Sequence, residues 1–314
     1  MHRRFIAGVR SGRATRARFS PGLGAARPVG AALAVSLLAA SAPVEAGHAV
    51  FHIFAPGVEA GAWGAEALST FQSGFPDDDG ASHAHEDGGH APLAAAHEFA
   101  IHGGLTDFWM AKVALAAERE DGGDYALSSV ALENVFRLPN ARSTGAFDAA
   151  WFTALSAGVD SGATNAIEFG PVLSLASGPV TLTLNPFLEK TFGHNREDGI
   201  AFTYGWRATY EIAERLSIGL EGYGEIENVA NAPAARDQIH RFGPVIYLGH
   251  VHGGARSHAH GDHVAETGTG HGAQSLPEAQ DTPGSDWHAE IGILFGMTHA
   301  TPDTAVKLNI GTDF

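Results

Sequence analysis

The 314-residue chain carries 19 Lys and Arg against 35 Asp and Glu, a formal charge of −16, and no cysteine. Such acidity repels nucleic acid and anionic lipid head groups, and the missing thiols exclude disulfides and thiolate metal or redox centres. Beyond residue 46 no stretch approaches the roughly 20 apolar residues of a membrane helix, so any membrane crossing must be made by a closed sheet.

Residues 1–46 read as a secretory signal peptide. Seven arginines (Arg3, Arg4, Arg10, Arg13, Arg16, Arg18 and Arg27) precede an apolar run from Val29 to Ala40, and Val44-Glu45-Ala46 supplies small residues for cleavage after Ala46. A cut after Ala42 would leave Pro43 just beyond it, which is unfavourable. The apolar run is too short to span about 30 Å of hydrocarbon as a helix. Arg3-Arg4 hints at the twin-arginine route, but that route carries folded cargo and a barrel must cross unfolded. Cleavage leaves 268 residues with 12 basic and 34 acidic side chains, a charge of −22 that suits cations.

From residue 47 onward the chain reads as alternating strands. Weaker candidates at 57–71 and 93–102 come first. Stronger ones follow at 108–118, 125–138, 149–159, 166–175 and 179–191, where Val180, Leu182, Leu184 and Leu188 alternate with Thr181, Thr183, Asn185 and Glu189. The clearest runs from Ile200 to Ile212: Phe202, Tyr204, Trp206, Ala208 and Tyr210 share one face, while Thr203, Gly205, Arg207, Thr209 and Glu211 share the other. After Ala213-Glu214-Arg215 the pattern resumes with Leu216, Ile218 and Leu220 against Ser217, Gly219, Glu221, Tyr223 and Glu225. Segments 239–249, 286–297 and 304–314 complete about twelve strands, each near the 9–11 residues of a tilted membrane strand. The expected fold is all-β, a transmembrane antiparallel up-and-down β-barrel of about 12 strands formed by residues 47–314. A soluble sandwich or lipocalin-like barrel also alternates, but here charge and aromatic character separate onto opposite strand faces, as lipid outside and water inside require.

Two His-rich insertions interrupt the pattern at 73–92 and 250–285. If the first strand rises from the periplasm, the former is an outer loop and the latter a periplasmic connection, unusually long for that side. Imidazole suits zinc, nickel and copper. The candidate ligands are His83, His85 and His90 in the first insertion, and His250, His252, His258, His260, Asp262, His263 and His271 in the second. His-rich tracts are the compositional signature of metal binding, although they also serve as solvated linkers. No cofactor is required for the fold itself. His97 and His102 are five apart in an expected strand, so they point to opposite faces and do not form a zinc-protease pair.

The chain closes on Val306, Leu308, Ile310, Thr312 and Phe314 at alternate positions. A last strand ending in Phe resembles the signal taken up by the barrel-assembly machinery. Gly104-Leu105-Thr106-Asp107 before an aromatic strand, the segment from Arg241 to Tyr247, and the segment from Gly292 to Thr298 are similar to proteobacterial outer-membrane β-barrel proteins of the transporter type. Those lie near the barrels linked to aromatic-compound degradation. The resemblance implies a Gram-negative outer-membrane location, lipid as the surroundings, and Phe314 as the assembly signal.

Alternation assigns Lys112, Glu118, Glu133, Arg137, Glu168, Glu189, Arg207, Glu211, Glu221, Glu225, Arg241, His288, Glu290 and Lys307 to the lumen, either as a cation-preferring lining or as paired charges that fill a narrow barrel. Glu221 and Glu225, or Ser217 with His240, invite an enzymatic reading that their spacing does not support, so no enzyme is expected. The leading expectation is a channel or transporter whose His-rich segments capture divalent metal. The alternatives are a passive porin-like channel for small organic molecules and a non-transporting structural or metal-buffering barrel.

Overall fold

The computed structural model describes residues 50–75, 92–139, 146–159, 163–194, 196–249 and 286–314. The predicted signal peptide and all ten candidate metal ligands lie outside these residues. Twelve strands follow one another: β1 (Trp63–Ser73), β2 (Leu93–Thr106), β3 (Trp109–Glu120), β4 (Ala126–Arg137), β5 (Phe147–Gly158), β6 (Thr164–Ser177), β7 (Val180–Gly193), β8 (Ala201–Ala213), β9 (Leu216–Ile226), β10 (Ile239–Gly249), β11 (Asp286–Gly296) and β12 (Thr304–Asp313). Each pairs antiparallel with its sequence neighbours, and β12 pairs with β1, so the sheet closes into an up-and-down barrel. Closure leaves no edge strand, which is what a sheet in hydrocarbon requires. Among the described residues no helix is long and apolar enough to cross a membrane.

Period-two alternation builds this wall with its apolar side outward. Every strand exposes a large hydrophobic residue, among them Phe71, Ile101, Val113, Leu132, Leu155, Ile167, Leu184, Tyr210, Ile218, Ile246, Ile293 and Ile310. A soluble barrel would bury this face; here it forms a continuous apolar belt. Aromatic residues mark both rims of the belt, with Trp63, Tyr210 and Trp287 exposed near one and Phe71, Phe192 and Phe295 near the other.

The two ends differ. The β2–β3, β6–β7 and β8–β9 connections are two-residue turns at one end, which also receives the flanks of 138–146 and 250–285 and the outer termini of β1 and β12. Gly178 takes φ +58 in one of these turns, a conformation that strains any side chain bearing Cβ. Longer connections gather at the opposite end, where Val229–Asn231 and Ala235–Asp237 form single 3₁₀ turns.

Strand β1 begins six residues later than the expected 57–71, and Ser73 belongs to it rather than to the insertion. The displaced residues fall outside the strand pairing, which starts at Trp63, although Gly61 and Ala62 still bond to Gly104 through their backbones. Instead, residues 50–58 fold back inside the barrel.

Candidate functional site

The lumen is built from the inward positions of all twelve strands. Near one wall, Lys112 Nζ on β3 stands 2.8 Å from Glu66 on β1, 2.9 Å from Glu98 on β2 and 3.0 Å from Glu133 on β4. One ammonium thus gathers three carboxylates from three neighbouring strands. Across the barrel, Lys307 on β12 donates to Glu221 on β9 at 2.7 Å and to Glu290 on β11 at 2.8 Å. Glu221 also accepts from the Tyr223 and Tyr247 hydroxyls at 2.7 and 2.8 Å, while Arg207 stands 3.4 Å from Glu290. Buried ions are tolerated only when paired; both groups are paired, with Glu133 Oε2 held by its ion pair to Lys112 alone.

The remaining predicted lumen residues occupy several levels. Glu168 and Glu189 are buried directly opposite one another, with the Thr203 hydroxyl donating to Glu168 at 2.8 Å. Arg137 pairs with Asp148 at 2.8 Å near the short-turn end. Arg241 is buried near the other end, where it donates to Gln72 and feels the charge of the half-buried Glu225. Glu118 and His288 are half-buried. Glu211 shares the inward face of Arg207 but stands exposed at the short-turn mouth, next to the irregularity between Glu211 and Ala213. His97 faces outward toward Ser69 and Tyr125, whereas His102 faces inward toward Asp313. Ser217 pairs with Tyr247 near the short turns and His240 pairs with Gly224 near the long loops, so they do not meet. Among the described residues, no group of three or more metal-ligating side chains is arranged to hold an ion.

The wall from β4 to β7 has another character. Val135, Ala150, Phe152, Val172 and Phe187 form an apolar cluster facing the lumen, with Phe152 and Phe187 stacked at 4.6 Å. Phe54 completes this cluster, its ring 4.3 Å from Phe152, although it belongs to the segment that precedes β1. Asn185 reads the backbone of Phe54 in both directions: its Oδ1 accepts from the Phe54 N–H at 2.7 Å, and its Nδ2 donates to the Phe54 carbonyl at 3.1 Å. Asn309 donates to the Phe51 carbonyl at 3.2 Å. Phe51 and Ile53 pack with Tyr223, Leu294 and Ala305; Val50 packs with Leu68 and Ala96; Arg241 stacks over Phe51 and Lys112 over Phe54. A Cβ on Gly205 of β8 would lie 2.6 Å from the Ile53 side chain, so glycine makes room for that contact. The clusters and polar contacts joined by this short segment draw on every strand of the barrel.

His52 lies in the same segment, outside the spanning strands. Burial first, then the Lys112 ammonium, push its pKa down to about 3, against weaker opposing effects of Glu66 and Glu290. The imidazole is therefore neutral at pH 7.

Sequence reasoning missed the luminal roles of Glu66 and Glu98, because their strands were the weakest in the pattern. It missed residues 50–58 altogether. The available signal was the density of large apolar side chains, Val50, Phe51, Ile53 and Phe54, between the predicted cleavage and the first strand.

No protein-family model and no curated protein matches the chain. Solved structures do. An outer-membrane channel from Pseudomonas putida F1 aligns over 86% of this chain and 100% of its own, at 9% identity and TM-score 0.48. The NanC porin aligns over 80% and 98%, at 10% identity and TM-score 0.43. The Acinetobacter baumannii outer-membrane protein Omp33 aligns over 81% and 98%, at 7% identity and TM-score 0.38. The likeness is one of barrel fold and says nothing about cargo.

Proposed function

We propose that this chain is an outer-membrane channel of a Gram-negative bacterium whose His-rich segments capture divalent transition metal (zinc, nickel or copper) at the mouths of an acidic lumen. The observation that carries the channel reading is the inverted barrel, apolar all round outside and charged within. Three two-residue turns gathered at one end support a periplasmic position for that end, even though it also carries 138–146 and 250–285. That orientation assigns residues 76–91 to the cell exterior and 250–285 to the periplasm. Export follows from the 46-residue leader, and assembly from the C-terminal strand that ends in Phe314.

The cationic preference rests on the excess of carboxylates around Lys112 and on the facing pair Glu168 and Glu189. Charged linings of one sign select for counter-ions. The test combines bilayer reversal potentials with calorimetric titration of zinc, nickel and copper into the refolded protein and a variant lacking 250–275. Cation-selective conductance, with micromolar metal binding that disappears in the deletion, is the expected result. Anion selectivity would refute the lumen reading, and binding unchanged by the deletion would refute capture by the periplasmic segment.

A second reading is favoured by the aromatic wall of β4–β7: a passive channel for small organic molecules, aromatic ones included. Uptake of such solutes that is indifferent to metal and to both His-rich segments would establish it in place of metal capture.

A further inference from the structure

Residues 50–58 take no part in the barrel wall, yet they fill its middle. Val50, Phe51, Ile53 and Phe54 are each no more than 6% exposed. Their contacts reach opposite sides of the lumen, with Phe54 in the cluster of Phe152 on β5 and Phe51 and Ile53 in that of Leu294 on β11. A segment that bridges the walls in this way obstructs the passage of a solute.

The attachment is of a kind that can be undone. No strand pairing depends on this segment, since the β1 ladder begins at Trp63 and Gly64. The segment is tied to the short-turn rim just beyond its end, where the Gly61 N–H donates to the Gly104 carbonyl at 2.8 Å and the Gly104 N–H donates to the Ala62 carbonyl at 2.9 Å. Between rim and lumen, Gly57 is exposed and a Cβ there would meet nothing within 4 Å. Gly61 holds φ +81, in the left-handed region where glycine is at ease. A fixed tether, a glycine-flanked turn and a buried tip are the parts of a hinged stopper.

The lumen recognises this tip as a peptide. Asn185 pairs with both main-chain groups of one residue and Asn309 holds a second carbonyl, while the aromatic pocket of β5 and β7 takes a phenylalanine side chain. Main-chain hydrogen bonds combined with side-chain pockets are the general means by which proteins hold extended peptides.

We propose that residues 50–58 are a tethered plug, and that the lumen is a peptide-binding site occupied in cis, so that conduction requires withdrawal of this segment toward the short-turn end. The proposal rests on the channel reading above and is separable from it.

The test is planar-bilayer conductance of three proteins. These are the wild type, a deletion of residues 50–58, and Ile53→Cys with Gly205→Cys in the otherwise cysteine-free chain, at positions where the Ile53 side chain packs against Gly205, with formation of the disulfide checked by mass. Heat-resistant gel mobility verifies that each barrel has folded. The deletion should conduct several-fold more than the wild type, and a synthetic peptide of residues 50–58 should block it from the short-turn side. Oxidation should silence the cysteine pair, and reductant should restore the wild-type trace. A folded deletion that conducts like the wild type overturns the plug, as does an oxidised pair that still conducts. Both of these leave the channel standing. Folded proteins that are all silent overturn the channel and the plug together. If the deletion fails to fold, the cysteine pair in the intact chain carries the test alone.

Discussion

Replacing Lys112 with methionine keeps the length of the side chain but removes the one charge that holds Glu66, Glu98 and Glu133 together. The lysine is 2% exposed and the three carboxylates lie between 2.8 and 3.0 Å from its nitrogen. Two unit charges at 4 Å attract by about 4 kcal/mol at an effective dielectric constant of 20, so several such contacts are lost together. Part of this returns when the carboxylates take up protons, and breaking a buried pair from one side typically costs about 3–5 kcal/mol. We therefore expect Lys112→Met to lose about 3–5 kcal/mol in urea unfolding of the refolded barrel, followed by tryptophan fluorescence. Adding Glu98→Gln should recover part of the loss by removing one stranded charge. The single variant should also shift bilayer reversal potentials further toward cations. A loss below about 1 kcal/mol would place the cluster in screened, water-like surroundings and refute the argument.

Three further outcomes follow from the same geometry. With the segment engaged, His52 has its pKa depressed to about 3, whereas released it titrates near 6.5. Engagement thus carries no proton penalty above pH 6.5 and weakens as pH falls from there toward 3. At pH 5 the difference reaches about 2 kcal/mol, roughly 30-fold, reduced by the partial solvent contact of the ring. Conductance should rise on acidification, and His52→Leu should flatten that rise; an unchanged pH profile would reject the linkage. Gly243→Val should lower stability by at least about 1–3 kcal/mol in the same urea assay, because a Cβ there would collide with the Ile293 backbone on β11. Phe314 closes the β12–β1 seam by donating its N–H to the Trp63 carbonyl at 2.8 Å, and its side chain is exposed. Phe314→Ala should lower the assembled fraction in cells while refolded protein keeps its stability, as compared by heat-modifiable mobility; a normal assembled fraction would remove its role as a signal.

The barrel was legible because period two is a local property. In β8, Phe202 through Ile212 declare both faces without reference to any other strand. The first strand is harder: Ala60, Gly61 and Ala62 carry no contrast between faces, so the pattern blurs and the predicted start falls at 57 rather than at Trp63. The lumen was legible only as a list of inward residues. That Lys307 meets Glu221, three strands away round the sheet, depends on stagger and curvature, which no single strand encodes. Residues 50–58 escaped for a related reason. Their partners, Asn185 and Asn309, are 131 and 258 residues away, and an asparagine that binds a backbone leaves no complementary side chain to recognise.

The apolar cluster of Val135, Phe152, Val172 and Phe187 and the ion groups centred on Lys112 and Lys307 occupy different parts of the wall, which makes the lumen polar in the plane of the membrane as well as along its normal. A molecule threading it meets a transverse field and must turn one side to each wall. A solute with one apolar and one charged substituent satisfies both walls in one orientation only. With residues 50–58 withdrawn, a passage of this construction sorts solutes by the angle between their dipole and their apolar face, and not by girth alone.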